Sequence, residues 1–384
     1  MHVAFLYIAE TYQSYHAAAV ALALARRSGV TVEALYNDPE TPRHLERIQL
    51  AHGEEPMPAR ELQKSLVTRM FQKVPILGMI KQRTMRENVA SLERYDAVVS
   101  VENTAAALRG FGLKQPRLIY MTHGSGDRAK SFVDRIATFD FVLASGSKTA
   151  NRFLENKLVQ PGRFATPGYV KLDTVSRLGR LNGAPFDNDR PTVVYNSHCD
   201  QALGSWERFI EPMIEAFAAQ SEFNLIVAPH VKLFARKSSL ERKVWNNRSS
   251  GNILIDTDSD RLIDGSYAAV ADIYMGDVSS QLYEFLGEPK PCIFLNAHLP
   301  EWRDDANFEH WHLGQVVENP SRLMDAVRDA IPSHHRYRDR QRVRAAQTLG
   351  NTSPGAAERA ADAIYNYLAS ADMIEQPTKE LEAA

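Results

Sequence analysis

The stretch from Ala271 to Asn296, ADIYMGDVSSQLYEFLGEPKPCIFLN, constrains the fold more than any other part of the chain. Ala271 to Met275 is short and mostly apolar, as a buried strand is. Gly276-Asp277-Val278-Ser279-Ser280 is a small polar loop. Gln281 to Leu286 then opens a helix that carries Glu284. Gly287, Pro289 and Pro291 end it, and Cys292 to Leu295 is the next strand. The loop lies where a strand's carboxyl end meets a helix amino terminus, and open α/β sheets bind ligands at that place. Free backbone N–H groups and the helix dipole favour phosphate there. Ser279 and Ser280 add hydroxyl donors, with Asp277 placed to orient them. Either serine also has the residue type of a plain helix N-cap.

The same alternation runs through the rest of the chain. Val3 to Ile8 is a strand, Tyr15 to Arg27 an alanine-rich helix and Val30 to Tyr36 a strand, which is a doubly wound opening. The first loop has no glycine, so it is not a dinucleotide fingerprint. His16 falls in the first turn of that helix, facing the strand ends, as a ligand contact or as a structural histidine. Arg117 to Met121 is another strand. It leads into Thr122-His123-Gly124-Ser125-Gly126-Asp127-Arg128-Ala129-Lys130. Gly124 allows close backbone approach to a ligand. Histidine is the usual general base near neutral pH, which suits His123, and Lys130 is a candidate for phosphate. The plainer reading of His123 is a strand-end cap.

Leu181 to Arg190 is polar, with Gly and Pro, and reads as a linker. After it, Pro191 to Tyr195 begins a second run of the same kind. Asn224 to Ala228 is a strand ending in Pro229-His230-Val231-Lys232, so a histidine again stands at a strand's carboxyl end with a lysine two residues on. The expected domains are residues 1–180 and 191–350, with a closing helix at 354–370 and a loose tail at 376–384. Two such domains joined by one linker predict a cleft between two sheets.

Composition narrows the class. The chain has 384 residues, 44% hydrophobic and 24% charged, with a formal net charge of -2, which gives no global case for nucleic acid. Its two cysteines, Cys199 and Cys292, have no metal-type spacing, which fits reduced thiols in the cytoplasm. No apolar run approaches the roughly 20 residues of a membrane span. Residues 64–86 differ in character: six basic residues and no acid, interleaved with apolar ones. Such a segment lies on an anionic membrane surface or packs its apolar side on its own domain. No metal or cofactor is called for if helix dipoles, hydroxyls, His and Lys neutralise a pyrophosphate. The neighbouring acids Asp304 and Asp305 form a loop pair of the kind that is usually solvated.

One ordered set of residues resembles a known family. His123-Gly124 with Lys130, Gly168-Tyr169 through Asp173, His230 ending a strand, Asp277-Val278-Ser279-Ser280 with Phe285, and Lys290-Pro291 look like the CDP-glycerol glycerophosphotransferases that build teichoic acid polymers. The resemblance covers roughly Leu118 to Leu295. It implies a GT-B fold, that is, two Rossmann-like doubly wound domains facing a central cleft. It implies His123 as the base taking the acceptor hydroxyl proton, and His230 as a stabiliser of the donor phosphates. Ser279 and Ser280 would bind the pyrophosphate with Asp277 holding their loop, Glu284 lies where a ribose is often bound, and Gly124, Lys130 and Lys232 join the donor set. His16 remains an acceptor-side candidate. The implied partners are a CDP-linked donor and a polymer or lipid-linked acceptor at the membrane face. Thr122 stands where the family usually has Trp, and Val278 where it has an aromatic residue. A nucleotide-sugar glycosyltransferase would keep the same cleft. A nucleotide-sugar 2-epimerase would want a Ser-Gly-Gly loop that is absent here, and a non-catalytic nucleotide- or polysaccharide-binding module would bind ligand without product.

Overall fold

A computed structural model describes residues 1–71, 77–123, 133–279 and 281–375. They fall into two compact units, one formed by the described residues of 1–123, 133–174 and 348–375, the other by those of 175–347. The first unit holds seven parallel strands: β1 (His2–Tyr7), β2 (Thr31–Tyr36), β3 (Ala59–Glu61), β4 (Ala97–Ser100), β5 (Arg117–Met121), β6 (Phe141–Leu143) and β7 (Phe164–Ala165). The second holds six: β8 (Thr192–Asn196), β9 (Asn224–Val227), β10 (Ile253–Ile255), β11 (Ile273–Gly276), β12 (Cys292–Leu295) and β13 (Gln315–Val317). The strand orders are β3-β2-β1-β4-β5-β6-β7 and β10-β9-β8-β11-β12-β13. Each sheet therefore reverses its winding at its first strand. The switch points lie between β1 and β4 and between β8 and β11, where doubly wound sheets bind ligands.

The strands read as continuous apolar runs because helices cover both faces. In the second unit, Val193, Tyr195, Leu225 and Met275 pack in one layer, while Val194, Ile226, Tyr274 and Phe294 pack in the other. That alternation is the period of two along a pleated strand. The helix Ser14–Ala25 in the first unit is buried almost all round. Its alanines let it sit between the helices Thr41–His52 and Ala356–Glu375.

The C-terminal helix Ala356–Glu375 belongs to the first unit, although the second unit precedes it in sequence. Asp173 fastens its start, accepting the Gly355 N–H at 3.0 Å and the Ala357 N–H at 2.9 Å. A cap of this kind contributes about 1 kcal/mol. Gly168 has φ +102, and a Cβ there would lie 2.5 Å from the Asn351 carbonyl, so the turn beside that helix requires glycine. Arg27 pairs with Asp362 at 2.7 Å and Glu358 at 3.1 Å on the same helix. The stretch from Gly168 to Asp173 thus acts as a clasp for the chain's last helix. The chain passes between the units inside the helix Lys171–Asn182, ahead of the polar stretch 181–190 in which the sequence reading put the change of domain.

The basic segment is made of two helices, Leu66–Phe71 and Leu77–Leu92. Two of its cations serve the fold. The Lys64 ammonium is buried and donates to the Asn37 carbonyl at 2.6 Å and to Glu61 at 2.9 Å. Lys81 pairs with Glu10 at 3.4 Å and Glu102 at 3.8 Å. Those two do not form part of a solvent-facing cationic patch. Leu66, Val67 and Met70 on the first helix are exposed at 79%, 48% and 75%, so its apolar side has no cover among the described residues. No helix of the described residues is long and apolar enough to cross a membrane.

Candidate active site

In the second unit, polar side chains gather at the carboxyl ends of β8, β9 and β11. Asp277 follows β11 directly and is 1% exposed. Its carboxylate accepts the His198 N–H at 2.8 and 3.1 Å, the Ser205 N–H at 2.7 Å, the Ser205 hydroxyl at 2.9 Å and the Val278 N–H at 2.8 Å. Burial pushes its pKa up to about 6, against the pull of these donors. Its own carbonyl accepts the Trp311 indole N–H at 3.1 Å. Asp277 therefore holds the loop 198–205 across the switch point; its carboxylate oxygens are taken up by the protein. Gly276 before it leaves room for this crossing, since a Cβ there would lie 2.7 Å from the Asn196 carbonyl.

His230 follows β9. Its N–H donates to the Ser197 carbonyl at 3.0 Å, and its Nδ1 accepts the Lys232 N–H at 3.2 Å. A ring nitrogen that accepts carries no proton, so the proton of the neutral ring is on Nε2. Burial, with His198 and Lys232 nearby, lowers the pKa to about 4, which keeps the ring neutral at physiological pH. His198 is built the same way: its Nδ1 accepts the Asp200 N–H at 3.0 Å, and its ring lies 6.1 Å from that of His230. Two imidazoles whose Nδ1 atoms accept backbone N–H groups, and whose ring protons are therefore on Nε2, flank the end of the central strands. Asn196 Oδ1 and Ser197 Oγ, at the end of β8, are buried with no hydrogen-bond partner among the described residues. The imidazole N–H groups and the Ser197 hydroxyl are donors of the kind that stabilise a pyrophosphate.

The other predicted donor residues take more modest positions. Ser279 is buried, and its hydroxyl oxygen accepts the Gln281 N–H at 3.3 Å, as a helix-start residue does. The helix it opens, Gln281–Phe285, has five residues, so its dipole is smaller than a full helix would supply. Glu284 is partly buried on that helix, and Lys232 is exposed. Ser280, Gly124 and Lys130 lie outside the described residues. Asp305 caps the 3-10 helix Ala306–Leu313 by accepting the Asn307 N–H at 2.8 Å.

In the first unit, His123 follows β5, and its Nδ1 is hydrogen-bonded to the Val101 carbonyl at the end of β4. A carbonyl only accepts, so Nδ1 carries a proton, and in the neutral ring Nε2 carries the lone pair. This tautomer is the opposite of that in His230, and it is the one a general base requires. His16 is 5% exposed, with its ring 6.2 Å from that of His123 and 5.8 Å from that of Tyr169. Burial, then Lys171 and His123, holds it well below the usual histidine range, so it is neutral.

The sequence reading did not single out Ser197, His198 or Ser205. A histidine two residues past a strand end was the available signal, the same one that singled out His123 and His230.

Residues 208–366 match the family model described as CDP-Glycerol:Poly(glycerophosphate) glycerophosphotransferase. A search of curated proteins returns no match. Among solved structures, the wall teichoic acid polymerase TagF aligns with a TM-score of 0.67 at 11% identity, over 96% of this chain and 89% of that chain. MnaA of S. aureus, in its UDP co-structure, aligns with a TM-score of 0.65 at 14% identity, over 96% and 97%. The UDP-GlcNAc 2-epimerase of Neisseria meningitidis bound to UDP-GlcNAc gives 0.63 at 11%, over 96% and 100%. At these identities the likeness is one of fold, and the fold is GT-B. The family match covers residues 208–366, less than half of the chain; over that region the chain is similar to the CDP-glycerol:poly(glycerophosphate) glycerophosphotransferases, and its two doubly wound sheets have the GT-B architecture.

Proposed function

We propose that this chain transfers glycerol phosphate, or a related polyol phosphate, from a CDP-activated donor to an acceptor hydroxyl in the synthesis of a cell-surface polymer. The observation that carries this reading is the pair of opposite histidine tautomers at the ends of β5 and β9. His123 Nε2 takes the proton of the acceptor hydroxyl. The acceptor oxygen attacks the donor's β-phosphorus, the bond to the bridging oxygen breaks, and CMP leaves. His230 and His198 donate from Nε2–H to the phosphate oxygens as charge builds on them. Chemistry of this kind depends on positioning and charge stabilisation more than on covalent help from the protein.

A thermal-shift screen tests the reading. CDP-glycerol and CDP should raise the melting temperature, by roughly 2–4 °C when free ligand is about 100 times Kd. His230→Phe should lose most of that shift. A response to UDP or GDP alone would move the function to sugar transfer and overturn the CDP reading.

The exposed apolar side of the helix Leu66–Phe71 supports contact with an anionic membrane surface, where a lipid-linked acceptor would be met on the cytoplasmic face. Replacing Leu66 and Met70 with serine should lower flotation with phosphatidylglycerol vesicles severalfold. Equal flotation of both proteins would remove the membrane from this reading.

A further inference from the structure

A buried backbone carbonyl past the end of a strand needs a hydrogen-bond partner from elsewhere, because the ladder no longer supplies one. The Asp277 carbonyl is such a group. Gly276 is the last residue of β11 in register with β8 and β12, and Asp277 after it is 1% exposed. Two side chains reach that carbonyl from 33 and 34 residues further on. The Trp311 indole N–H donates at 3.1 Å, and His310 Nε2 lies at 3.3 Å. A carbonyl only accepts, so His310 carries a proton on Nε2. Both are buried, Trp311 at 2% and His310 at 5% exposure.

The segment that carries them, the 3-10 helix Ala306–Leu313, is itself held firmly. The His310 ring lies edge-on to Phe294 of β12 at 5.7 Å, and Phe308 and Trp302 pack on Trp311 at 4.7 and 5.8 Å. The helix Arg338–Leu349 grips its backbone. The Gln341 amide donates to the Leu313 carbonyl at 2.7 Å, and Arg340 donates to the His312 carbonyl at 3.1 Å.

Asp277 therefore has two sides. Its carbonyl is fixed by Trp311 and His310, and its carboxylate fixes the N–H groups of His198 and Ser205. The Val278 N–H, in the same peptide unit as the carbonyl, closes onto that carboxylate at 2.8 Å. The 277–278 peptide is thus set at both its ends, and the direction of the carboxylate follows from it.

We infer that Trp311 and His310 are positioning residues of the donor site, acting through Asp277 on the loop 198–205 and so on His198. How firmly His198 Nε2 is presented to a phosphate depends on the segment 306–313. The phosphate ligand in this inference rests on the transferase reading above; the link from Trp311 to the loop does not.

Three substitutions in the full-length protein test it. Trp311→Phe keeps an aromatic ring in place and removes the N–H. His310→Leu removes the second N–H, and His310→Gln restores one, because a glutamine Nε2 reaches about as far as the imidazole Nε2. Trp311→Phe and His310→Leu should each raise the Kd for CDP roughly three- to tenfold, the effect of one hydrogen bond. His310→Gln should stay within about twofold of the wild type. A double-mutant cycle with His198→Ala separates positioning from general support. Once the His198 side chain is gone, Trp311→Phe should change CDP affinity by less than about twofold. The same factor in both backgrounds would overturn the inference, since Trp311 would then act without His198.

Hydrogen exchange read by mass spectrometry needs no ligand. The His198 and Ser205 N–H groups should exchange roughly three- to tenfold faster in Trp311→Phe, with β8 and β9 unchanged. Faster exchange confined to residues 197–206 supports the link even if CDP never binds, and only the transferase reading then fails. CDP binding by the wild type, with exchange and Kd unchanged in both Trp311→Phe and His310→Leu, would overturn the inference and leave the transferase standing.

Discussion

Replacing His123 with asparagine should lower kcat by roughly 10²- to 10⁴-fold, the usual contribution of a positioned general base. Asparagine is the informative choice. Its amide N–H can still reach the Val101 carbonyl that now fixes Nδ1. What it lacks is the lone pair at the far side of the ring. The local fold is then retained while the proton acceptor is gone. Donor affinity should stay within about twofold, because His230, His198 and Asp277 lie in the other unit. The measurement is donor binding by calorimetry beside the rate of CMP release with acceptor present. A loss of donor affinity as large as the loss of rate would show that His123 binds the donor and does not act as its base.

The second large effect is expected at a residue whose carboxylate is fully engaged by the protein. Asp277→Ala should destabilise the second unit by about 2–4 kcal/mol at pH 7, since it leaves the His198, Ser205 and Val278 donors buried without an acceptor. It should also lose most of the donor affinity, because the loop carrying His198 is released. The pH dependence has a definite sign. Burial raises the Asp277 pKa to about 6 in the fold, above its ordinary value of 3.8. A raised folded pKa means that this group stabilises the fold most below pH 4, and that the contribution is lost as the pH rises through 6. The loss amounts to at most about 3 kcal/mol. The alanine variant has no such component, so its gap from the wild type should be widest near pH 4 and should narrow toward pH 7. Denaturant melts of both proteins at pH 4, 5, 6 and 7 read this directly. A gap that widens with pH would mean that the ionised carboxylate is the favoured form in the fold.

The architecture was legible because parallel strands buried on both faces leave long apolar runs such as Val3 to Ile8 and Pro191 to Tyr195, and the loops that follow them carry the polar residues. The candidate histidines were legible for the same reason: a titratable side chain at a strand's carboxyl end stands out. The basic segment at residues 64–86 left open a membrane-facing and a self-packing reading because charge patterns carry no information about partners far away. Lys64 finds Asn37, and Lys81 finds Glu10 and Glu102, across separations no local window covers.

What the sequence determined by itself is periodic: which residues enter the sheets, and where strand ends meet loops. Burial follows local spacing, and spacing is written along the chain. Only the tertiary structure decided the chemistry. The Val101 carbonyl holds a proton on Nδ1 of His123, and the Lys232 amide keeps one off Nδ1 of His230, although both are histidines at strand ends. Asp277 was expected to hold its own loop, and its carboxylate spans the switch point to hold the loop from His198 to Ser205. The last helix returns to the first unit, where it packs on the helix Ser14–Ala25 and Asp173 caps its start. Each of these outcomes is a hydrogen bond between groups distant in sequence or set by backbone geometry, and its direction depends on coordinates that no residue pattern encodes.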